Sequence, residues 1–232
     1  MDYRGQQIFI IHPDNKLRDE LVLFLRNNEF ETFGVDEPSA TTISNRRESI
    51  LFLHTSDDKN WHWQKFVEQI RIDYPDQLII ALGTGVKPEG VDILFDCVEE
   101  DLQGRLVKYL DEVNARGHRH FIRFGSQNAS IATFDYQHEG MRYAGIIHDI
   151  SIADISCTFK PEPETVGHMP IDDLYLNLPG FRASINGRFT SGRVVAGQKI
   201  HVFHFIGNIS DECKNHIHDF IYSSLELKLS FH

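Results

Sequence analysis

The chain changes its hydrophobic period once, near Gly117, and that change constrains the fold more than any other feature of the sequence. Before it, short continuous apolar runs alternate with stretches of helical period. Gln7–His12, Ile50–His54, Gln77–Leu82 and Val91–Asp96 are strand candidates. Between them Lys16–Asn28, Trp61–Asp73 and Leu102–Asn114 carry apolar residues at helical spacing, with Asp14 or Asn15 placed to cap the first and Gly117 to close the last. Continuous apolar strands separated by helices imply a parallel sheet covered on both faces.

After Gly117 the period becomes two. Ala129–Tyr136, Met141–Ile150, Ile155–Phe159, Phe181–Ile185, Arg188–Val195 and Lys199–Ile206 alternate and are rich in β-branched and aromatic residues. Turns are expected at His138–Gly140 and at Asn186–Gly187, and Phe181, Phe189, Phe203, Phe205 and Phe220 are expected in the core. A single helix, Ser210–Leu225, ends the pattern, with Ser210 as its cap and Asp211 and Glu212 in its first turn. Antiparallel strands followed by one helix suggest a small barrel flanked or plugged by that helix. The 232 residues thus divide into two domains, 1–115 and 116–232.

Composition narrows the function. A formal charge of −11 argues against a nucleic-acid polymer as partner, because backbone binding needs clustered positive charge. No apolar run is long enough to cross a bilayer, and the N-terminal apolar run reads as a first strand, not a signal peptide. Cys97, Cys157 and Cys213 are scattered and odd in number, so reduced thiols in a cytoplasmic protein are expected. Of the thirteen histidines, His118/His120, His201/His204 and His216/His218 form close pairs. No HExxH or CxxC spacing accompanies them, and no metal is expected. Nucleophile-elbow, Walker and dinucleotide fingerprints are absent as well, so the chain reads as a non-enzyme without a cofactor.

Basic residues concentrate at one place, the junction Arg116–Arg123 (RGHRHFIR), and Asp149-Ile150-Ser151 follows at the end of a strand. An arginine fork grips a phosphate or the O6/N7 edge of guanine with paired hydrogen bonds and stacks on a purine face. A carboxylate accepts from guanine N1–H and its exocyclic amine. Arg119-His-Phe-Ile-Arg123 followed by Asp149-Ile-Ser151-Ile-Ala-Asp154 resembles the PilZ signature, RxxxR and then [D/N]xSxxG. The resemblance runs over roughly Arg116–Leu229 and implies a cyclic di-GMP site at Arg119, Arg123, Asp149 and Ser151, with Arg116 as a further candidate. It also implies that the arginine segment folds over the barrel once ligand is present, changing the geometry between the halves, with an output in motility, attachment or envelope. One position departs: Asp154 stands where the family has glycine. Asp tolerates left-handed backbone, so the turn is expected to survive, but its carboxylate would repel phosphates unless turned away.

The first half resembles a response-regulator receiver without its chemistry. His12-Pro13-Asp14 stands where the acidic pair is needed, His54-Thr55 at the phosphoacceptor and Cys97-Val98 at the lysine, while Asp57 and Asp58 follow too late. Gly83–Gly90 is too short for the usual fourth helix. The fold expected is therefore an α/β receiver-like N-terminal domain plus a mainly-β PilZ-like barrel with a C-terminal helix. The functions kept open are a cyclic di-GMP receptor with a protein partner on its N-terminal domain, a ligand-independent protein-interaction adaptor, and a phospho-regulated response regulator. The missing Asp counts against the last.

Overall fold

The computed structural model describes residues 6–36, 49–55, 63–97, 100–117, 120–125, 132–163, 170–195 and 197–230. The chain forms two compact units, residues 1–120 and 121–231, each with its own core.

In the first unit β1 (Gln7–Ile11), β2 (Thr32–Val35), β3 (Ser49–Thr55), β4 (Leu78–Gly83) and β5 (Ile93–Asp96) form an entirely parallel sheet in the order β2-β1-β3-β4-β5. β1 and β3 are internal and read as unbroken apolar runs because both faces are covered: Ile8, Ile10, Ile50 and Phe52 on one face and Phe9, Ile11, Leu51 and Leu53 on the other are all at most 1% exposed. The helices α1 (Asn15–Asn27), α2 (Trp63–Asp73) and α3 (Leu102–Glu112) bury one face each, Val22 and Leu25, Val67 and Ile70, Leu106 and Leu110. Asp14 caps α1, accepting from the backbone N–H of Lys16 and Leu17. The last helix ends at Glu112, two residues before the expected end; Asn114 (φ 55°) is the left-handed residue that closes it, and Gly117 (φ 63°) is left-handed as well but lies five residues beyond that end. The Ala115 N–H returns to the Leu110 carbonyl and the Asn114 N–H to Asp111, the paired bonds that satisfy a helix C-terminus. Between β4 and β5 there is no helix, as the short Gly83–Gly90 stretch predicts. Arg71 of α2 holds that loop instead, donating to the carbonyls of Gly90 (2.7 Å) and Gln77 (2.6 Å) and to Asp92 (2.7 Å). β2 was not anticipated.

The second unit is a closed six-stranded antiparallel barrel with a helix. Its strands are β7 (Thr133–His138), β8 (Met141–Ile150), β9 (Asp154–Phe159), β10 (Pro170–Leu178), β11 (Phe181–Val195) and β12 (Gln198–Phe205). They run β8-β7-β10-β11-β12-β9, and β9 pairs back onto β8 to close the ring. A two-residue strand, β6 (Phe124–Gly125), adds to β8 beside that closure. The helix α4 (Asp211–Ser230) contributes Ile217, Ile221 and Tyr222 to the barrel core, which centres on Phe134, Phe159, Phe189 and Phe203. Phe189 and Phe203 are fully buried, while Phe181, Phe205 and Phe220 pack against the core partly buried.

Of the two turns expected in this half, one needs correction. The turn at His138–Gly140 is present, with Glu139 and Gly140 both at positive φ, the backbone a tight hairpin requires. Asn186–Gly187 is not a turn: β11 runs unbroken through it. A Cβ on Gly187 would lie 2.3 Å from the His204 carbonyl oxygen and 2.5 Å from the Phe203 ring, so the glycine serves a close strand contact. Asn186 meanwhile accepts from the Asp173 N–H at a bulge in β10, where Asp173 is left-handed (φ 59°). Among the described residues no helix is long and apolar enough to cross a membrane.

Candidate functional site

The barrel closes where β8 turns into β9, and the sequence-predicted residues Asp149, Ser151 and Arg123 gather there. β8 and β9 form a hairpin in which Ile150 faces Ile155 and the Ser151 N–H bonds to the Asp154 carbonyl (2.9 Å), leaving Ile152 and Ala153 at the tip. Ser151 is fully buried. Its hydroxyl accepts from the N–H groups of Ala153 (3.2 Å) and Asp154 (3.1 Å) and donates to Asp154 Oδ1 (3.0 Å). The hydroxyl thus closes the hairpin and has no proton left for a ligand.

Asp154 is the residue the sequence singled out as a departure, and its placement differs from the expectation. It is the first residue of β9, paired in register with His204 of β12, and is not among the residues with left-handed backbone. Its carboxylate turns inward, with a side chain 8% exposed, and its Oδ2 accepts from Arg123 Nη2 at 2.6 Å. Arg123 reaches it because β6 pairs with β8, Phe124 opposite Ile150 and Gly125 opposite Asp149. Ile122 and Phe124 are buried in the barrel core, so the intervening Arg123 faces away from the core, toward the hairpin. Phe124 is fixed edge-on against Phe220 of α4. The second arm of the guanidinium, Nη1, lies 3.7 Å from Asp149 Oδ2, and His204 Nδ1 lies 3.6 Å from Asp154 Oδ2.

The other two predicted site residues are Arg116 and Arg119. Arg116 belongs to the first unit, its guanidinium 4.3 Å from the Phe30 ring centroid and 3.4 Å from Asp111. Arg119 lies outside the described residues, as does His118. His201 is buried inside the barrel with Nε2 2.8 Å from Glu162, and His216 stacks on Phe181 at 4.0 Å. Among the described residues no group of three or more His, Cys, Asp and Glu gathers as a metal site.

In the first unit, His12 and His54 stand at the carboxyl ends of β1 and β3, adjacent strands on either side of the point where strand order reverses. Open parallel sheets bind ligands at that point. Their rings are in contact, centroids 4.1 Å apart. Sequence reasoning noted each as a missing acid but not that they meet; adjacency of two parallel strands is the signal that pairs their ends. His12 Nδ1 accepts from the Asp14 N–H at 2.9 Å. Burial lowers the pKa of His12 from its ordinary 6.5, opposed by the Asp14 carbonyl, 3.0 Å from Nδ1 and able to accept from the protonated ring, and by the Asp14 charge, and reinforced by Arg18. Burial lowers His54 too, with a contribution from His12. The unfolded chain then binds more protons than the folded one below pH 6.5, so stability is complete above that pH and falls as pH drops through the lowered folded values. Urea unfolding followed by tryptophan fluorescence reports this half alone, since the only tryptophans are Trp61 and Trp63. The midpoint is expected to fall between pH 7.5 and 5, and His54→Gln is expected to flatten that slope. An equally steep slope in the variant would assign it to other groups.

No family model matches this chain, and no curated protein does. Among solved structures it is similar to the PilZ domain of YcgR from Escherichia coli with cyclic di-GMP, at 13% identity and a TM-score of 0.42, over 48% of this chain and 94% of that one. It is also similar to the Bacillus subtilis inhibitor of motility MotI/DgrA (10% identity, TM-score 0.41), covering 48% of this chain and about half, 53%, of that protein. A third similarity is to the chemotaxis protein CheY4 of Vibrio cholerae (15% identity, TM-score 0.40), over 47% of this chain and 98% of that one.

Proposed function

We propose that this protein is a non-enzymatic receptor for cyclic di-GMP whose barrel binds the ligand at the β8–β9 hairpin and whose receiver-like half passes the state on to a protein partner. One observation supports the reading: Arg123 and Asp149, far apart in sequence, come together at the barrel's closure, a fork that can grip a phosphate or guanine O6/N7 beside a carboxylate that can accept from guanine N1–H. Arg119 is proposed as the second fork and Arg116 as an accessory. His54 and Thr55, neither of them an acid, end β3, so the input is assigned to the barrel and the output to the sheet domain. An effect on motility is the proposed consequence.

Calorimetric titration of the full chain with cyclic di-GMP is the test. Saturable heat is expected, with affinity reduced at least tenfold in Arg123→Ala. Equal affinity in the two proteins would remove Arg123 from the site, and absence of heat in wild type and in Asp154→Asn would end the reading. A second reading has an observation of its own. Arg123 is already engaged by Asp154, which favours a ligand-independent adaptor working through protein contacts alone. That reading expects partner binding unchanged by nucleotide.

A further inference from the structure

We infer that Asp154 is an internal competitor for Arg123, a carboxylate built into the hairpin at the place of a ligand phosphate, which holds Arg123 and the adjoining β6 on the barrel when no ligand is bound. The inference deepens the proposed cyclic di-GMP site and rests on that reading for its ligand, but the contact itself is a property of the free protein.

Three observations carry it. The Arg123–Asp154 contact is short, 2.6 Å, and involves a carboxylate with a side chain only 8% exposed. That carboxylate is fixed before the arginine arrives: its other oxygen is held by the Ser151 hydroxyl, which two backbone N–H groups hold in turn. A preorganised intramolecular group competes at a high effective concentration, because its ordering is complete on folding. Charge points the same way. Among the described residues one guanidinium, that of Arg123, faces two carboxylates, Asp149 and Asp154. A phosphodiester approaching Arg123 must displace Asp154, whose carboxylate has little solvent to turn into. It would keep only the Ser151 hydroxyl and the more distant His204 imidazole. A buried carboxylate stripped of its cation is costly. Glycine at this position would offer no competitor, so residue 154 sets ligand affinity here without touching the ligand.

Two measurements on the full chain test this, each on wild type, Asp154→Asn and Asp154→Gly. Asn keeps the size and the acceptor for Ser151 while removing the charge; Gly removes the side chain, so a folding defect in one variant leaves the other informative. In titrations with cyclic di-GMP, both variants are expected to bind at least tenfold more tightly than wild type. In hydrogen exchange without ligand, the amides of Ile122–Gly125 are expected to exchange at least tenfold faster in the variants. Wild-type binding with no gain in either variant overturns the competitor while the receptor reading stands. If none of the proteins binds, the receptor reading falls and exchange alone decides: faster exchange supports Asp154 as the group that holds β6 on the barrel, and unchanged exchange overturns it.

Discussion

Gly145→Val is expected to destabilise the barrel by about 3 kcal/mol or more, the upper range for overpacking a filled core. Gly145 lies inside β8, where the strand is paired on both sides, opposite Phe134 of β7 and Phe159 of β9. A Cβ built there would stand 2.1 Å from the backbone carbonyl oxygen of Thr158 and 2.5 Å from the Phe134 ring. Neither neighbour yields cheaply. The carbonyl belongs to the strand that closes the barrel, and Phe134 is 1% exposed and packed against Phe159 at 5.2 Å and Phe189 at 6.1 Å. Relief would require parting β8 from β9, the closure that also carries Asp149, Ser151 and Asp154. Urea unfolding of the full chain by circular dichroism should show the barrel transition at much lower denaturant. The tryptophan signal identifies the first half's transition separately. A barrel within about 1 kcal/mol of wild type, the size of an ordinary substitution, would mean that the close approach is not real.

Local pattern made much of this fold legible and register hid the rest. The parallel strands announced themselves because burial on both faces leaves continuous apolar runs such as Ile50–Leu53. β2 was missed because four residues with a glycine, Thr32–Val35, make too short a run to show a period. β10 was missed for a different reason. Its inward residues are Ile171, Leu174, Leu176 and Leu178, and the bulge between Ile171 and Leu174 shifts the phase of the alternation just where two aspartates adjoin. The Asn-Gly pair of β11 was read as a turn because its chemistry there is that of a turn; only the neighbouring strand shows that Gly187 exists for Phe203.

The site was half legible. Arg123, Asp149 and Ser151 could be named because their residue types and order carry a pattern, and the structure assembles them at one hairpin. What each does there could not be read, since it depends on partners across the barrel. Ser151 spends its hydroxyl within the hairpin, and Asp154, expected as a turn residue whose carboxylate repels phosphates unless turned away, turns onto Arg123. That contact joins positions 31 apart through the pairing of β6 with β8, and no local periodicity encodes it. Its one trace in the sequence was a charge where a glycine was expected.

The same contact makes the second large effect a matter of stability. Arg123→Ala is expected to cost about 2 kcal/mol in the barrel, below the 3–5 kcal/mol typical of breaking a fully buried pair because solvent reaches the arginine. Its side chain is 31% exposed while that of Asp154 is 8% exposed. The asymmetry matters. Removing the arginine strands a carboxylate with little access to water, whereas removing the carboxylate leaves a guanidinium that solvent and Asp149 still serve. Asp154→Asn alone is therefore expected to cost less, about 1 kcal/mol, and the double variant Arg123→Ala/Asp154→Asn should be more stable than Arg123→Ala alone. A double-mutant cycle by urea unfolding should return a coupling of about 1–2 kcal/mol. Additive single effects would show that the two side chains are neighbours without being partners, and the placement of Arg123 would then rest on Ile122 and Phe124 in the core rather than on charge.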